Sequence, residues 1–407
     1  PVRQATVEFL AVSRNAARQA TTDNEGNYVL RPLEVGTYRV SVSARGFKSS
    51  TQTGVVLEVS RVTRLVQRLE IGDTQENITV ESEGQLVETH ASVVSSFVNA
   101  KAIEELPLNG RDYIRLAALD AGVPVARAQG STVFNGYGLP LSVAGSRPYQ
   151  NHFRVDGVTQ SSYNNATPGS INGVNLGTDA VREFSVIAGP YSARYGRSAG
   201  GIVNAVTRSG GNEFRGGLFW FHRNDNLDAR NFFDAAKKPE FRRHQMGATL
   251  GGPIQRDRTF FFLNFEEFRE VRGFTNQDTT ISGDARAGRL ASGQVQVHPV
   301  MAKVASLYPL PNAGVFGDTG LYVYSNDQTG REHYFFGRLD HQISERDRLF
   351  ARYSISDGSR AFLTAFGAGT QTNRTRMHSA AVEQTHVFSP SLLRSEEHTS
   401  ELQSRQV

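Results

Sequence analysis

The sequence predicts a mainly β chain that joins a small N-terminal β-sandwich, a mixed α+β domain and part of an antiparallel transmembrane β-barrel. Short β-type runs broken by turn residues fill the first 70 residues, which is typical of a sandwich. Candidate strands of about ten residues, dense in aromatic side chains, follow Gly211 and are joined by alternating long and short connections. No apolar run of about 18 or more residues occurs, so no transmembrane helix is predicted.

The composition excludes several classes of function. The chain has 407 residues and no cysteine, which excludes disulfide frameworks, thiolate zinc sites and cysteine nucleophiles. Its 44 basic and 40 acidic residues are scattered without a sustained basic run, so no nucleic-acid partner is expected. No His-Glu-x-x-His motif and no phosphate-binding loop of the Walker type are present. We therefore expect no catalytic residue, no metal site and no cofactor.

Residues 1–70 are predicted to form the sandwich. In the run 38–42, Tyr38, Val40 and Val42 share one face, as a half-buried strand requires. After this region the chain becomes polar, and residues 71–99 are predicted to be a linker that carries one short β-prone stretch.

Residues 100–212 are predicted to form the compact, loop-rich α+β domain. Short helices are expected at 101–105 and 111–118, and short strands at 151–155 and 202–207. Glycine-rich loops separate these elements, which limits the amount of regular structure that the domain can contain.

Residues 213–393 are predicted to be barrel strands, about six in number. Long connections at their ends alternate with short ones at 253–258 and 344–347, as the two ends of an outer-membrane barrel require. The alternative is a soluble antiparallel sandwich, and the aromatic run 260–262 fits both because it places rings on both faces. The predicted strands are 214–223, 243–252, 259–270, 332–343, 348–357 and 376–388.

The run 348–357 illustrates the two faces of such a strand. Side chains at alternate positions point to opposite sides, so one side suits lipid and the other a wet lumen. The apolar set is Leu349, Ala351, Tyr353 and Ile355, and the polar set is Arg352, Ser354 and Ser356.

Several motifs, in order, make the sequence resemble the Oar-like TonB-dependent transporters. Residues 22–28, 36–38 and 46–47 resemble the carboxypeptidase regulatory-like domain, a transthyretin-like or immunoglobulin-like sandwich whose name implies no peptidase activity here. The Val-Asp-Gly at 155–157 is similar to part of a plug domain. The other plug-like motifs are 106–112, 191–196 and 200–210.

The resemblance implies a location in the outer membrane, with the sandwich and the base of the plug facing the periplasm. It also implies contact with lipid, uptake of an unknown extracellular ligand, and coupling to TonB through a short TonB box. The candidate box is Glu76, Asn77, Ile78, Thr79 and Val80, since a β-prone segment in a polar linker can add to a partner's sheet edge. The alternative for this stretch is a final sandwich strand or a first plug strand.

Two polar and aromatic stretches of the plug-like region are candidate ligand-facing loops. Such side chains could stack on or hydrogen-bond a ligand, although ordinary loop composition explains them equally well. A different class of function, a surface adhesin or carbohydrate-binding β protein without transport, also stays open. The candidate loop residues are Phe134, Asn135, Tyr137, Tyr163, Asn164 and Asn165.

Two departures from the family are expected to matter. A plugged transporter barrel has about 22 strands, so about six strands indicate an incomplete chain. Residues 394–407 lose the strand alternation and resemble the translation of a sequencing adapter, so they are predicted to be a non-native tail.

Overall fold

A computed structural model of the chain describes residues 1–31, 33–59, 61–72, 77–81, 94–99, 102–103, 111–126, 138–160, 167–188, 198–230, 238–389 and 392–406. These residues form three large sheets, one for each predicted domain, and one small two-stranded sheet. None of the described helices has the length and apolar character needed to cross a bilayer.

The N-terminal sandwich is built on a five-stranded sheet in the order β2-β1-β3-β4-β5. In β3, Tyr38, Val40 and Val42 are buried and the residues between them are more exposed, which confirms the predicted face. Val7, Phe9 and Val55 complete this apolar core, against which Leu65 and Leu69 also pack. The strands are β1 (Thr6–Ala11), β2 (Ala16–Thr21), β3 (Gly36–Ser43), β4 (Ser49–Leu57) and β5 (Asn77–Glu81).

The middle domain, comprising the described residues from 94 to 210, has a second sheet in the order β6-β9-β10-β7-β8. Its helix α1 (Ile114–Ala117) is shorter than the predicted 111–118. The Ile114 N–H donates to Asp112 Oδ1 at 3.0 Å where the helix begins. The strands are β6 (Val94–Val98), β7 (His152–Val155), β8 (Val158–Thr159), β9 (Val181–Ala188) and β10 (Ile202–Thr207).

The barrel sheet is antiparallel throughout and follows the chain in the order β11-β12-β13-β17-β18-β19-β20. In the described part of the chain, β11 and β20 are the two ends of this path. The long strands are β11 (Arg215–Asn224), β12 (Phe241–Gln255), β13 (Thr259–Ile281), β17 (Thr319–Gln342), β18 (Asp347–Leu363), β19 (Thr370–Ser389) and β20 (Leu392–Gln406).

Smaller elements occupy the long connection after β13. Helices α2 and α3 and three two-residue strands lie there, and one of these strands pairs with β17. They are α2 (Gly283–Arg286), β14 (Arg289–Leu290), β15 (Gly293–Gln294), α3 (Pro299–Ser306) and β16 (Val315–Phe316).

The predicted strands agree best with the structure at their short-turn ends. The turns at 256–258 and 343–346 are tight, as expected. At the other end the strands run further than predicted: β13 continues to Ile281 and β17 begins at Thr319, so much of the expected loop 271–331 is strand. The β13 extension is mostly polar on both faces, and the β17 extension begins with the uninterrupted run Leu321-Tyr322-Val323-Tyr324, so neither shows the alternation on which the prediction depends.

The two faces of the barrel sheet differ as predicted. In β18, Arg352 and Ser354 are buried, whereas Tyr353 is exposed. Along β17 the same alternation buries Glu332 and exposes Phe335. The middle domain covers the buried face, so this face is the inside of the barrel.

Strand β20 includes most of the predicted non-native tail, 394–407. It pairs antiparallel with β19 and adds a seventh strand to the expected six. Pairing does not test whether the segment is native, and the non-native origin stays a prediction.

Candidate functional site

A two-residue turn of the middle domain carries the carboxylate that contacts the barrel. Asp156 and Gly157 join β7 to β8, and both have positive φ, 47° and 83°. A tight hairpin turn with two left-handed residues strongly favours the dipeptide Asp-Gly. The Thr207 N–H and hydroxyl donate to Asp156 at 2.9 and 2.8 Å and hold its carboxylate in place.

Two barrel arginines reach this carboxylate from the inner face. Arg352 Nε lies 3.1 Å from Asp156 Oδ2, and Arg338 Nη1 lies 3.4 Å from Oδ1. Arg352 also donates to the main-chain oxygen of Val155 at 2.9 Å. The Asp156 and Arg352 side chains are only 5% and 1% exposed, so this ion pair is withdrawn from water. Removal of one partner from such a pair is costly because the other charge stays buried.

The ion pairs continue to the N-terminal sandwich. Arg338 forms a two-pronged pair with Asp340 at 2.8 and 3.0 Å, and Arg14 Nη2 of the sandwich lies 3.2 Å from Asp340. Arg14 also pairs with Glu34 at 2.8 Å, and Arg348 of β18 pairs with Glu34 at 2.6 Å. We call the whole set the interdomain ion network: Arg14, Glu34, Asp156, Arg338, Asp340, Arg348 and Arg352.

The charge of Glu34 is maintained by this network. Burial alone would raise the pKa of Glu34, but Arg14 and Arg348 outweigh it and lower the pKa to about 2. The carboxylate is therefore ionised at physiological pH, and the contact between sandwich and barrel is a contact between charges.

A second polar contact lies nearer the long-loop end. Ser170 and Asn172 of the middle domain hydrogen-bond the Glu332 carboxylate, and Asn172 Nδ2 also donates to the main-chain oxygen of Arg331 at 3.0 Å. The Ile171 N–H donates to Thr375 Oγ1 at 3.1 Å.

A third contact combines ionic and apolar groups. Arg111 pairs with Asp179 inside the middle domain, and its guanidinium lies 4.1 Å from the ring centre of Phe219 on β11. Beside it, apolar residues of both domains form one mixed cluster. Its members are Val174, Leu176 and Ala180 of the middle domain and Phe262, Phe268, Tyr334 and Phe336 of the barrel.

The sandwich also contacts the middle domain directly. The Val59 N–H donates to Glu183 Oε1 at 2.6 Å, and Arg14 Nε donates to the main-chain oxygen of Gly210 at 3.2 Å. Burial raises the pKa of Glu183 to about 7, although the Val59 N–H and Arg182 act in the opposite direction. This carboxyl is half ionised near neutral pH.

The chemistry available at these contacts is ionic and reversible. Among the described residues, no three His, Asp or Glu side chains are grouped as metal ligands would be. Residues 196–200 have the Gly-x-Ser-x-Gly spacing of a hydrolase nucleophile elbow, but the chain then enters strand β10 rather than a helix. Ser198 Oγ donates to the main-chain oxygen of Gln150 at 2.9 Å, which gives it a structural role.

Only some of the predicted site residues lie in the described part of the chain. All six candidate ligand-facing residues, from Phe134 to Tyr137 and from Tyr163 to Asn165, lie outside the described residues. So does Glu76 of the candidate TonB box. The main chain of the other four box residues lies in β5, which pairs in parallel with β4. This is the sandwich-strand alternative; the pairing does not test contact with TonB, which stays a prediction.

Sequence reasoning missed the interdomain ion network. The sequence identifies Asp156 only as part of the Val-Asp-Gly motif and Arg352 only as a lumen-facing residue. The separation between Asp156 and its partners, 182 residues in the case of Arg338, leaves no local pattern that could connect them. The detectable signal was the set of charged residues on the predicted lumenal face.

Comparisons with known proteins agree with the three domains. A family model described as a carboxypeptidase regulatory-like domain matches residues 1–70, and a TonB-dependent receptor plug domain matches residues 85–203. An outer membrane beta barrel domain matches residues 206–395. The middle domain is therefore a plug, the barrel sheet is part of an outer-membrane barrel, and the chain is located in the outer membrane.

This chain spans only a quarter to two fifths of the length of the relatives that it matches. The TonB-dependent transporter Oar of Myxococcus xanthus is 27% identical over 270 residues, which span 64% of this chain and 25% of that protein. A mutant ferric enterobactin receptor (PfeA) of Pseudomonas aeruginosa, solved with enterobactin, is 19% identical with a TM-score of 0.50 over 78% of this chain and 42% of its own. The transporter YddB of Escherichia coli is 12% identical with a TM-score of 0.50, over 72% and 37%. These structures share the fold.

Proposed function

We propose that this chain, which belongs to the TonB-dependent outer-membrane receptors with an N-terminal carboxypeptidase regulatory-like domain, serves uptake of an extracellular ligand into the periplasm. It contributes the sandwich, the plug and part of the barrel. Uptake of this kind requires no covalent chemistry of the chain, because transport requires only that the plug be displaced reversibly.

The polar character of the plug and barrel contact carries the proposal. Asp156, Arg338 and Arg352 hold the plug by ion pairs, and Ser170 and Asn172 hold it by hydrogen bonds. When the plug moves, water can replace these partners, whereas a wholly apolar interface would expose hydrophobic surface. A plug held in this way can be loosened and can return to the same position.

The energy-coupling segment is proposed to be residues 76–80. Strand β5 is the last strand in its sheet, so its outer side has no partner among the described strands. An edge strand offers main-chain donors and acceptors to which a strand of TonB can add. TonB can therefore engage β5 in place, or capture it after β5 separates from β4.

The ligand is proposed to be recognised from outside by the plug loops around Phe134 to Tyr137 and Tyr163 to Asn165. These residues are polar and aromatic, which suits stacking and hydrogen bonding. Screening of candidate ligands against cells that carry the full-length protein identifies the substrate.

Deletion of residues 76–80 in the full-length protein tests the coupling step. We expect ligand binding at the surface of cooled cells to persist and energised uptake to be lost. The matched variants are Ile78→Pro, which removes a main-chain donor from the edge strand, and Ile78→Val, which keeps it. Unchanged uptake in the deletion variant would assign TonB coupling to another segment. Binding without uptake in every form, including the unaltered protein, would favour the adhesin alternative.

A reversible crosslink tests displacement of the plug. This chain has no cysteine, so in a full-length protein from which any other cysteine has been removed, Ile171→Cys with Thr375→Cys introduces a single possible disulfide. The Ile171 N–H and the Thr375 hydroxyl lie 3.1 Å apart. We expect uptake to stop when the pair is oxidised and to recover after reduction, while each single cysteine variant transports normally. Full uptake by the oxidised protein would contradict plug movement at this contact.

A further inference from the structure

The outward face of the barrel sheet carries a row of arginines just beyond its apolar band. Arg269, Arg331 and Arg374 lie on β13, β17 and β19. Strand register places Arg269 opposite Arg331, Arg331 opposite Ser359, and Ser359 opposite Arg374, so the row is continuous. Arg376 is in the adjacent row, opposite Asp357. We call these four arginines the arginine belt.

The arginine belt points away from the plug. Arg331 and Arg376 are each 56% exposed, whereas Glu332, the next residue along β17, is buried against the plug. Arg331, Arg374 and Arg376 surround a depression of about 270 Å³, whose other lining residues are His333, Asp357, Ser359 and Thr375. The depression therefore opens to the surroundings of the barrel and not to its lumen.

Its level in the membrane follows from the rows below it. The row next to it on the short-turn side is still polar, with Glu267 opposite His333 and His333 opposite Asp357. The apolar band begins one row further on, where Phe265 is opposite Phe335 and Phe335 is opposite Ile355. The short turns mark the periplasmic end, and the sandwich contacts the barrel at that same end through Asp340 and Arg348. The arginine belt thus lies at the extracellular boundary of the apolar band, where lipid headgroups begin.

The charges of the belt are only partly compensated by the protein. Glu267 pairs with Arg269 and lies 3.9 Å from Arg331, and Asp357 pairs with Arg376 at 2.5 Å. Two carboxylates thus serve four guanidinium groups, and two of the arginines face each other directly across neighbouring strands. Like charges in that position repel, and Glu267 offsets the repulsion between Arg269 and Arg331, so the excess positive charge of the belt lies at Arg374 with its neighbours Arg331 and Arg376. A phosphate suits planar guanidinium groups because it accepts two parallel hydrogen bonds.

We propose that the arginine belt is a binding site for the phosphate group of an anionic glycolipid in the outer leaflet. The acyl chains would lie along the apolar band, and the phosphate would occupy the depression between Arg331, Arg374 and Arg376. This function is separate from ligand uptake, because the site is on the opposite face of the sheet from the plug.

The test uses the full-length protein, purified in detergent and titrated with diphosphorylated lipid A while bound lipid is measured by native mass spectrometry. For Arg331→Gln with Arg374→Gln we expect at least a tenfold loss of affinity. The matched control replaces exposed arginines of the opposite, periplasmic turns, Arg256→Gln with Arg346→Gln, and should bind as the unaltered protein does. Heat-modifiable migration verifies that each variant is folded.

A second variant keeps the arginines and changes the site. Ser359→Asp places a negative charge between Arg331 and Arg374 and should also weaken binding at least tenfold. Dephosphorylated lipid A should bind the unaltered protein with similarly reduced affinity. Equal affinity in the double arginine variant, or no preference for the phosphorylated lipid, would overturn the proposal. Displacement of the lipid by an equimolar amount of inorganic phosphate would overturn the assignment to a lipid.

Discussion

The sandwich sheet and the barrel sheet use the same two-residue alternation with opposite results. In the sandwich, the buried face of β3 is apolar, with Tyr38, Val40 and Val42 in the core. In the barrel, the buried face of β17 includes Glu332, Arg338 and Asp340, while Phe335 and Leu339 point outward. Alternation therefore identifies two faces of a strand, but the surroundings decide which face is the interior.

The physical reason is the medium on the far side of each sheet. Water surrounds the sandwich, so apolar side chains gain free energy by leaving it. Lipid surrounds the barrel, and apolar side chains already have a suitable partner there. The inward face can then be charged, provided that its charges are paired, as those of the interdomain ion network are.

The largest expected effect comes from breaking the buried ion pairs. Asp156→Ala should destabilise the seated plug by about 3 to 5 kcal/mol, because Arg338 and Arg352 would stay buried without their carboxylate. Hydrogen exchange of plug peptides in the full-length protein measures this. Asp357→Ala, which removes the partner of the exposed Arg376, is the matched control and should change stability by about 1 kcal/mol or less. Similar effects in both variants would contradict the role of burial.

A charge placed on the outward face of the barrel sheet tests whether that face contacts lipid. Leu263→Arg should destabilise the folded barrel by about 2 to 4 kcal/mol, because position 263 lies in the apolar band. Val271→Arg, on the same face of β13 but beyond the band, should cost about 1 kcal/mol or less. Equilibrium unfolding of the full-length protein in lipid vesicles gives both values. Equal costs would mean that residue 263 does not face lipid.

The contact between sandwich and plug should depend on pH through Glu183. The pKa of Glu183 is raised to about 7 in the folded chain. The stability that the protonated carboxyl contributes is therefore fully present at pH values below the pKa that Glu183 has in the unfolded chain. It is lost as pH rises through about 7. Glu183→Gln should remove this dependence and be more stable than the unaltered protein at pH 8 by about 2 to 3 kcal/mol, with little difference at pH 4.

Thermal unfolding monitored at the two pH values measures the effect of Glu183→Gln. The side-chain oxygen of Gln can still accept from the Val59 N–H, so the hydrogen bond is retained. An identical pH profile in both proteins would show that Glu183 does not titrate in this range.

The smallest of these effects concerns the apolar core of the sandwich. Val40→Ala should cost about 2 kcal/mol, since it removes two buried methyl groups and leaves a cavity. Val56→Ala, on the exposed side of β4, should cost about 0.5 kcal/mol or less. Hydrogen exchange of the β1 and β3 amides compares the two. If Val40→Ala reduced the free energy of unfolding as little as Val56→Ala does, the packing of Val40 would not stabilise the sandwich.

Some features could be predicted because their causes are local. The spacing of Tyr38, Val40 and Val42 predicts a buried face. The tight turns at 256–258 and 343–346 follow from short polar junctions between strands rich in aromatic residues. The strand extensions beyond Glu270 and before Glu332 could not be predicted, because neither alternates between apolar and polar side chains. They persist through pairing with each other, from Val271 opposite Thr329 to Ile281 opposite Thr319.

Local patterns in the sequence were sufficient to predict the three domains, the mainly β class, the alternation of long and short connections and the lumenal face of β18. These depend on residue spacing along a few turns or strands, which any stretch of the chain carries within itself. The folded structure was needed to show that Asp156 pairs with Arg338 and Arg352, that Arg14 joins the sandwich to Asp340, and that residues 77–81 form a strand beside β4. Such contacts join residues far apart in the chain, and their energy depends on burial and mutual geometry that exist only after folding.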